Sequence, residues 1–328
     1  LLERNAFNDP QRKYFILLDR LDEDWAETDT RCRLIRALIE ETKYLRRLKN
    51  VKVVTVLRRD LLDLVFEKTR DAGFQQEKYE AYLLNINWSD SELKELLEKR
   101  VNVVFRNKYT NQSLELDDVF QRSNKSGGES GFDYMFQRSL SRPRDILQFA
   151  NEAFTRSEGK DGVKWRALIE AEQIYSKKRL NSLFEEWSEF YPHLSLTVDG
   201  VRGLTESFSR SDLSGKINEL VERLPEDAEN DHCLKHLKQL TDPNSSLTEG
   251  DVVSELVCCL YRVGVLGIKL STTLPFQWSS ISSPVISRGE AKRAMQLRVH
   301  KMLHGALDIN ATDARKARRL ERTKAENP

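Results

Sequence analysis

Two short apolar runs separated by one helical stretch constrain this chain most. Residues 14–19, "YFILLD", are apolar up to a terminal Asp19, and residues 51–58, "VKVVTVLR", are rich in β-branched residues. Short continuous apolar runs read as strands of a parallel sheet buried on both faces. Between them, "DTRCRLIRALIEETKYLRRL" (29–48) repeats Leu34, Ile35, Leu38, Ile39 and Leu45 at helical spacing. Strand, helix, strand implies a crossover and a parallel pair. "RDLLDLVFEKT" continues as helix, and "YLLNINW" (82–88) reads as a third strand or extended entry. "SDSELKELLEKRVNVVF" then opens with Ser89 or Asp90 as a helix cap and Glu92 near the third position, a capping-box pattern. The expected fold class is α/β followed by mostly α, with the strands belonging to the tail end of a doubly wound sheet.

Past residue 110 the strand signals stop. "NKSGGESG" (124–131) reads as a loop, and helical text flanks Pro143 in "GFDYMFQRSLSRPRDILQFANEAF". Val252, Val253, Leu256, Val257 and Leu260 recur at helical spacing. "VGVLGIKL" turns at Gly264 and Gly267 and extends, and "LPFQWSS" supplies a second short strand; two short strands after a helix make a wing. With 328 residues the chain is long enough for two domains. Fifty-three Lys and Arg balance 52 Asp and Glu, a net charge of +1, so global charge gives no argument for nucleic acid. Cys32, Cys233, Cys258 and Cys259 form no CxxC pair and read as reduced structural thiols in a cytoplasmic protein. No apolar run approaches a membrane span. The tail "DARKARRLERTKAENP" is charged and reads as frayed or disordered.

Acids crowd the end of the first run: Asp19, then Asp22, Glu23 and Asp24. Ligands bind outside the carboxyl ends of strands in an open parallel sheet. A carboxylate there can hold Mg²⁺, which prefers oxygen ligands, and a second acid can orient an attacking water. That pattern is the Walker B arrangement. At the end of the second run Arg58 and Arg59 follow Thr55, where a basic residue can touch a γ-phosphate. In "SLSRPRDILQFANEAF", Arg142 and Arg144 flank Pro143 at a helix start, with Asp145 favouring the first turn. Arginines placed so can reach nucleotide phosphates. The aromatics Trp165, Tyr175, Phe184, Trp187, Phe190 and Tyr191 mix with Lys177, Lys178 and Arg179, and read as the core face of an amphipathic helix rather than a nucleic-acid surface. His232/His236 and His300/His304 share helix-face spacing without a convincing acidic or Cys partner for a metal.

The order "FILLDRLDEDW", "VTVLRR", "INWSDSELKELLEKR", "SRPRDILQFANEA" resembles bacterial P-loop ATPases of the STAND and AAA+ branch, with similarity to KAP-type NTPases. "LTEGDVVSELVCCLYRVGVLGIK", "FQWSS" and "VHKMLHGALDI" are similar to the winged-helix-like C-terminal region of those ATPases, so the likeness runs from about residue 14 to 309. It implies an ATPase-core part with Walker B and sensor 1 over 1–110, a helical lid with sensor 2 over 111–160, a helical winged-helix-like domain over 161–309, and a charged tail, 310–328. It implies Asp19 as the Mg²⁺ ligand, Arg58 (with Arg59 as substitute) at sensor 1, and Arg144 or Arg142 at sensor 2. Relatives often carry an acid next to the Walker B Asp. Here that position is Arg20, which moves the catalytic role to Asp22 or Glu23 or leaves hydrolysis slow.

The loop pattern GxxxxGK[ST] occurs nowhere in these residues; Gly159-Lys160 and Gly215-Lys216 lack its flanking residues. The expectation is that the loop lies upstream. The resemblance thus implies part of an ATP-dependent, Mg²⁺-dependent molecular switch whose nucleotide state controls domain arrangement or oligomerisation. It extends the expectation to bacterial defence, with self-association or an effector protein as the partner and no membrane. Two alternatives stand beside it: a DNA-binding winged-helix module regulated by an ATPase core, and an interaction scaffold with a degenerate nucleotide site.

Overall fold

The computed structural model describes residues 7, 9, 11–21, 28–45, 47–70, 77–108, 113–123 and 128–309. The chain divides into two compact units, Leu1–Ile86 and Asn87–Pro328. The expected ATPase-core part reached to 110. The helix from Asp90 falls in the second unit because Leu93, Leu97 and Val101 are buried in the second unit's core.

In the first unit, β1 (Tyr14–Leu18) and β2 (Val51–Thr55) pair in parallel, with Tyr14 opposite Val51 and Leu18 opposite Thr55. The crossover is α1 (Thr28–Leu45), and α2 (Arg59–Lys68) follows β2. Cys32 and Ile35 of α1 and Leu61, Leu62, Leu64, Val65 and Phe66 of α2 are buried. A further turn, α3 (Glu77–Glu80), buries Tyr79, whose hydroxyl donates to Glu40 while Lys43 lies 3.6 Å over its ring. Of the two readings of 82–88, a third strand or an extended entry, the strand does not form: the segment makes no β-pairing among the described residues and is exposed throughout.

The second unit opens with α4 (Asp90–Lys108). Ser89 and Glu92 form its capping box: the Ser89 amide donates to the Glu92 carboxylate, and the Glu92 amide to Ser89 Oγ. Short helices α5 (Leu116–Val119) and α6 (Gly131–Phe136) lead to α7 (Pro143–Thr155) and the long α8 (Trp165–Trp187). Ile146, Phe149, Ala150 and Ala153 of α7 face Leu168, Ala171, Tyr175 and Leu183 of α8, and the Phe149 and Tyr175 rings stack at 4.7 Å. The aromatics of α8 therefore belong to the core: Tyr175 and Trp187 are buried, Trp165 and Phe184 partly so.

Beyond α8 the order is α9 (Leu194–Asp199), β3 (Ser207–Phe208), α10 (Arg210–Ser214), α11 (Ile217–Glu222), a 3₁₀ turn, α12 (Leu234–Leu240), α13 (Glu249–Arg262), β4 (Leu266–Lys269), α14 (Arg288–Arg293) and β5 (Gln296–Val299). The strands form an antiparallel sheet ordered β3-β5-β4. The expected second strand of the wing at "LPFQWSS" is replaced. β4 takes β5 as its partner, and Gln277 adds one bridge to Ile268. Pro275 has no amide to give a ladder there. Trp278 instead lies against Gly267, where a Cβ would sit 2.7 Å from the indole, so only Gly fits. The chain is thus about half helical with small sheets, and no helix among the described residues is long and apolar enough to cross a membrane.

Burial separates the two kinds of apolar residue. Leu256→Ala, in α13 and fully buried, should cost about 3 kcal/mol of second-unit stability. Leu84→Ala, in the exposed 82–88 segment, should stay within about 0.5 kcal/mol. Urea unfolding followed by near-UV circular dichroism checks both.

Candidate functional site

The parallel pair carries two sequence-predicted residues to one end of the sheet. Asp19 follows the last residue of β1, and Arg58 stands three residues past β2 as the N-cap of α2. The ladder runs one bond further, from the Val56 amide to the Leu18 carbonyl at 2.8 Å, so Asp19 leaves the sheet beside Val56. Arg20 takes a left-handed φ of 61°, and its amide donates to Asp19 Oδ1 at 2.8 Å. This turn orients the carboxylate at the strand tip, and both Asp19 and Arg58 are exposed. Arg59 is held to Asp63 of its own helix at 3.6 Å and to Asn85 at 3.2 Å. The other candidate acids, Asp22 and Glu23, lie outside the described residues.

Arg142 and Arg144 lie in the second unit, at the start of α7, where Pro143 occupies the first helical position. Both are exposed, and Arg142 also lies 3.6 Å from Glu186. Ser141, before them, has a left-handed φ of 54°, an unfavourable conformation for a residue with a Cβ. Asp145 does not cap the helix by facing solvent: it is buried and accepts the Leu140 amide at 3.0 Å. Beside it lies Arg179, 3% exposed, whose guanidinium makes two bonds to Glu186 at 2.8 and 3.1 Å and approaches Asp145 at 3.8 Å. Tyr175 completes the group, with a buried hydroxyl that has no hydrogen-bond partner among the described residues. Burial pushes that phenol well above its ordinary pKa. Arg179, read from sequence only as a basic residue among aromatics, is thus the centre of a charge network. Its signal was the spacing to Glu186, seven residues on and two turns along the same helix face.

The partly exposed positions of α13 include the acids Asp251 and Glu255. Helix α14 lies over it: Arg288 pairs with Glu255, Lys292 reaches Asp251 at 3.7 Å, and Arg210 bonds both Ala291 and Gly250 backbone oxygens. The histidine pairs are engaged locally. His300 Nδ1 accepts the Met302 amide at 3.2 Å, the His304 ring contacts the Val299 carbonyl at 3.1 Å, and His236 contacts Arg288 at 3.1 Å. Among the described residues no cluster of three His, Cys, Asp or Glu could hold a metal. All four cysteines carry free thiols.

Residues 91–184, from α4 through most of α8, match the family described as the FunZ-associated C-terminal helical domain. The "Putative transposon gamma-delta 80.3 kDa protein" of Escherichia coli (strain K12) is 24% identical over 284 residues, covering 85% of this chain and 37% of that protein. "Allergen Alt a 2" of Alternaria alternata is 28% identical over 130 residues, 38% of this chain and 66% of that protein. The chain thus spans less than two thirds of either relative. No solved structure matches. These comparisons give a helical domain of the FunZ-associated kind and a similarity to a transposon-associated large protein; the P-loop resemblance rests on the residues alone.

The charge network makes a direct prediction. Arg179→Met should cost about 3 kcal/mol, because Asp145 and Glu186 lose their counter-charge. Adding Glu186→Leu should restore part of that loss, and a double-mutant cycle in urea measures the coupling. A second prediction concerns pH. Burial, reinforced by His304, Lys301, Arg138 and Arg179, holds His300 down at about 3. An unfolded His titrates near 6.5. The neutral ring's contribution is therefore complete above about pH 6.5 and is lost as pH falls from there toward 3, by about 1 kcal/mol per pH unit. His300→Gln should flatten that slope in urea unfolding between pH 7 and 5.

Proposed function

We propose that these residues form the switch portion of an ATP-dependent protein, in which Mg²⁺-bound nucleotide at the end of the β1–β2 sheet controls domain arrangement or association with an effector. The observation that carries this reading is the parallel β1–α1–β2 unit, which delivers Asp19 and Arg58 to the same carboxyl end. Ligands of open parallel sheets bind at that end, and an acid and a guanidinium there match the two charges of a metal–phosphate group. In this role Asp19 would ligate Mg²⁺, Asp22 or Glu23 would orient water, Arg58 would contact the terminal phosphate, and Arg144 would carry the lid contact. The reading requires a phosphate-binding loop from outside these 328 residues, since no GxxxxGK[ST] occurs within them.

The second unit fits a signalling role. Helix, β3, helices, β4, α14 and β5, in a sheet ordered β3-β5-β4, support reading it as winged-helix-like. Its helix before the wing is acidic and covered, which favours protein contacts over DNA. The name of the Escherichia coli relative ties that protein to a transposon and leaves this choice open.

The test is ATP turnover by the polypeptide of the complete reading frame. Asp19→Ala should abolish it, Glu23→Gln should slow hydrolysis more than nucleotide binding, and Arg144→Ala should weaken the nucleotide-dependent change in sedimentation. Normal turnover with Asp19→Ala, or no ATP binding by the complete polypeptide, would refute the reading.

A further inference from the structure

One face of the β3-β5-β4 sheet gathers positive charge that no acid neutralises. The other face buries Leu266, Ile268, Leu297 and Val299, so by alternation Ser207, Gly267, Lys269, Gln296 and Arg298 share this side. Register sets Arg298 opposite both Ser207 and Gly267, and Lys269 opposite Gln296. Phe276 joins them: the Arg298 guanidinium lies 4.0 Å and the Lys269 ammonium 5.9 Å from its ring centroid. Trp278, packed on Gly267, stands beside Phe276 at 6.4 Å between centroids. Arg298 is held from two sides, because its Nε donates to Ser207 Oγ at 2.8 Å while the Phe276 ring sits against its guanidinium. Its two terminal nitrogens donate to no group among the described residues, and neither Arg298 nor Lys269 makes an ion pair among them.

The surrounding sequence explains the imbalance. Between residues 256 and 307, seven Lys and Arg stand against one acid, Glu290. The Glu290 carboxylate is engaged in capping α14, where it accepts the Ser287 amide at 2.9 Å and the Ser287 hydroxyl at 2.7 Å. Arg288 and Lys292 are taken up by Glu255 and Asp251 of α13. Lys269 and Arg298 have no such partner. The sheet edges offer little to a ligand. Ile268 exchanges both backbone bonds with Gln277, at 3.0 and 2.8 Å, and β3 is only two residues long, so an added strand would find few groups to pair with. Recognition on this sheet falls to the side chains of its charged face.

Those side chains select the ligand. A guanidinium with Nη1 and Nη2 both open matches the two oxygens of one carboxylate, a bidentate, charge-assisted pairing. A guanidinium already held in place loses less freedom when it binds. Nucleic acid calls for a row of cations along its phosphates, and this face offers two. Leu274, 49% exposed and two residues before Phe276, adds apolar area for a side chain next to the carboxylate. We propose that Arg298, with Lys269 beside it around Phe276, captures an acidic segment of a partner protein. One carboxylate takes the Arg298 fork and a neighbouring carboxylate meets Lys269. The site lies within the second unit and stands apart from the ATP reading.

Fluorescence anisotropy of the 328-residue chain tests it. The probe is a labelled peptide of alternating Glu and Ser, compared with a Gln–Ser peptide of the same length and with oligothymidylate. The Glu–Ser peptide should bind and the Gln–Ser peptide should not. Arg298→Gln should weaken the binding at least about ten-fold. Arg298→Lys, which keeps the charge and loses the fork, should weaken it nearly as much. Lys269→Gln should weaken it about three-fold, whereas Lys94→Gln, exposed on α4, should leave it unchanged. Near-UV circular dichroism checks that each variant keeps its fold; if Arg298→Gln loses it, Arg298→Lys and Lys269→Gln decide. No saturable binding below about 1 mM overturns the proposal, as does equal weakening by Lys94→Gln, which marks unspecific attraction. Oligothymidylate binding tighter than the peptide and lost in Arg298→Gln overturns it in favour of nucleic acid. Self-association of the chain that the same variant abolishes overturns it in favour of a second copy.

Discussion

A buried positive charge organises the second unit. Arg179 sits inside the core on α8, and its neutralisation draws together Asp145 from the start of α7 and Glu186 from the end of α8. A buried pair of this kind adds little free energy over well-packed apolar residues. What it constrains is rotation: only one setting of α8 against α7 brings Arg179 to both acids, and that setting also stacks Tyr175 on Phe149. The same helix reaches the chain's far end through Ser176, whose hydroxyl accepts the Ala306 amide at 2.9 Å. Nearby, Leu140 of the turn before α7 lies 3.7 Å from where a Gly264 Cβ would sit, and Gly264 has a φ of 82°. The helices matched to the FunZ-associated domain and the antiparallel sheet behind them therefore share one core.

The two sheets of the molecule obey different rules. The β3-β5-β4 sheet is antiparallel, buries Leu297, Val299, Leu266 and Ile268 on one side, and leaves Gln296 and Arg298 partly in solvent. Antiparallel ladders tolerate this one-sided burial. The β1–β2 pair has the same small size and lacks that tolerance. The second unit buries its strands against its own helices, whereas in the first α1 packs against β2 and Phe15 and Leu17 of β1 are exposed.

What could be read from the residues followed from local signals. β1, β2 and α1 announced themselves, because a continuous apolar run and a 3.6-residue period need no distant partner to be recognised. The Ser89–Glu92 capping box was equally local. Residues 82–88 carried the same apolar composition as β1, yet strand formation needs an edge to pair with, and composition cannot report that. β5 failed in the opposite sense: "QLRV" is short and mixed, and it became a strand through pairing with β3 and β4, far away in sequence. At the candidate site, Asp19, Arg58, Arg142 and Arg144 were legible as charges beside strand ends and a helix start. The division of labour between Arg142 and Arg144 was not, because it depends on Glu186, 44 residues beyond Arg142.

That division bears on how a signal would cross the second unit. Arg142 and Arg144 flank Pro143, whose ring fixes the backbone between them. Ser141 holds a left-handed conformation just before, a strained setting that persists only where the surroundings enforce it. Both arginines are exposed, and Arg142 lies 3.6 Å from Glu186 on α8. Arg142 sets this turn beside the Arg179 network through Glu186. Relaxing Ser141 would then cost the Arg142–Glu186 contact. A contact only half-buried and 3.6 Å long is weak enough to exchange, while the Arg179–Glu186 pair beneath it is too deeply buried to follow.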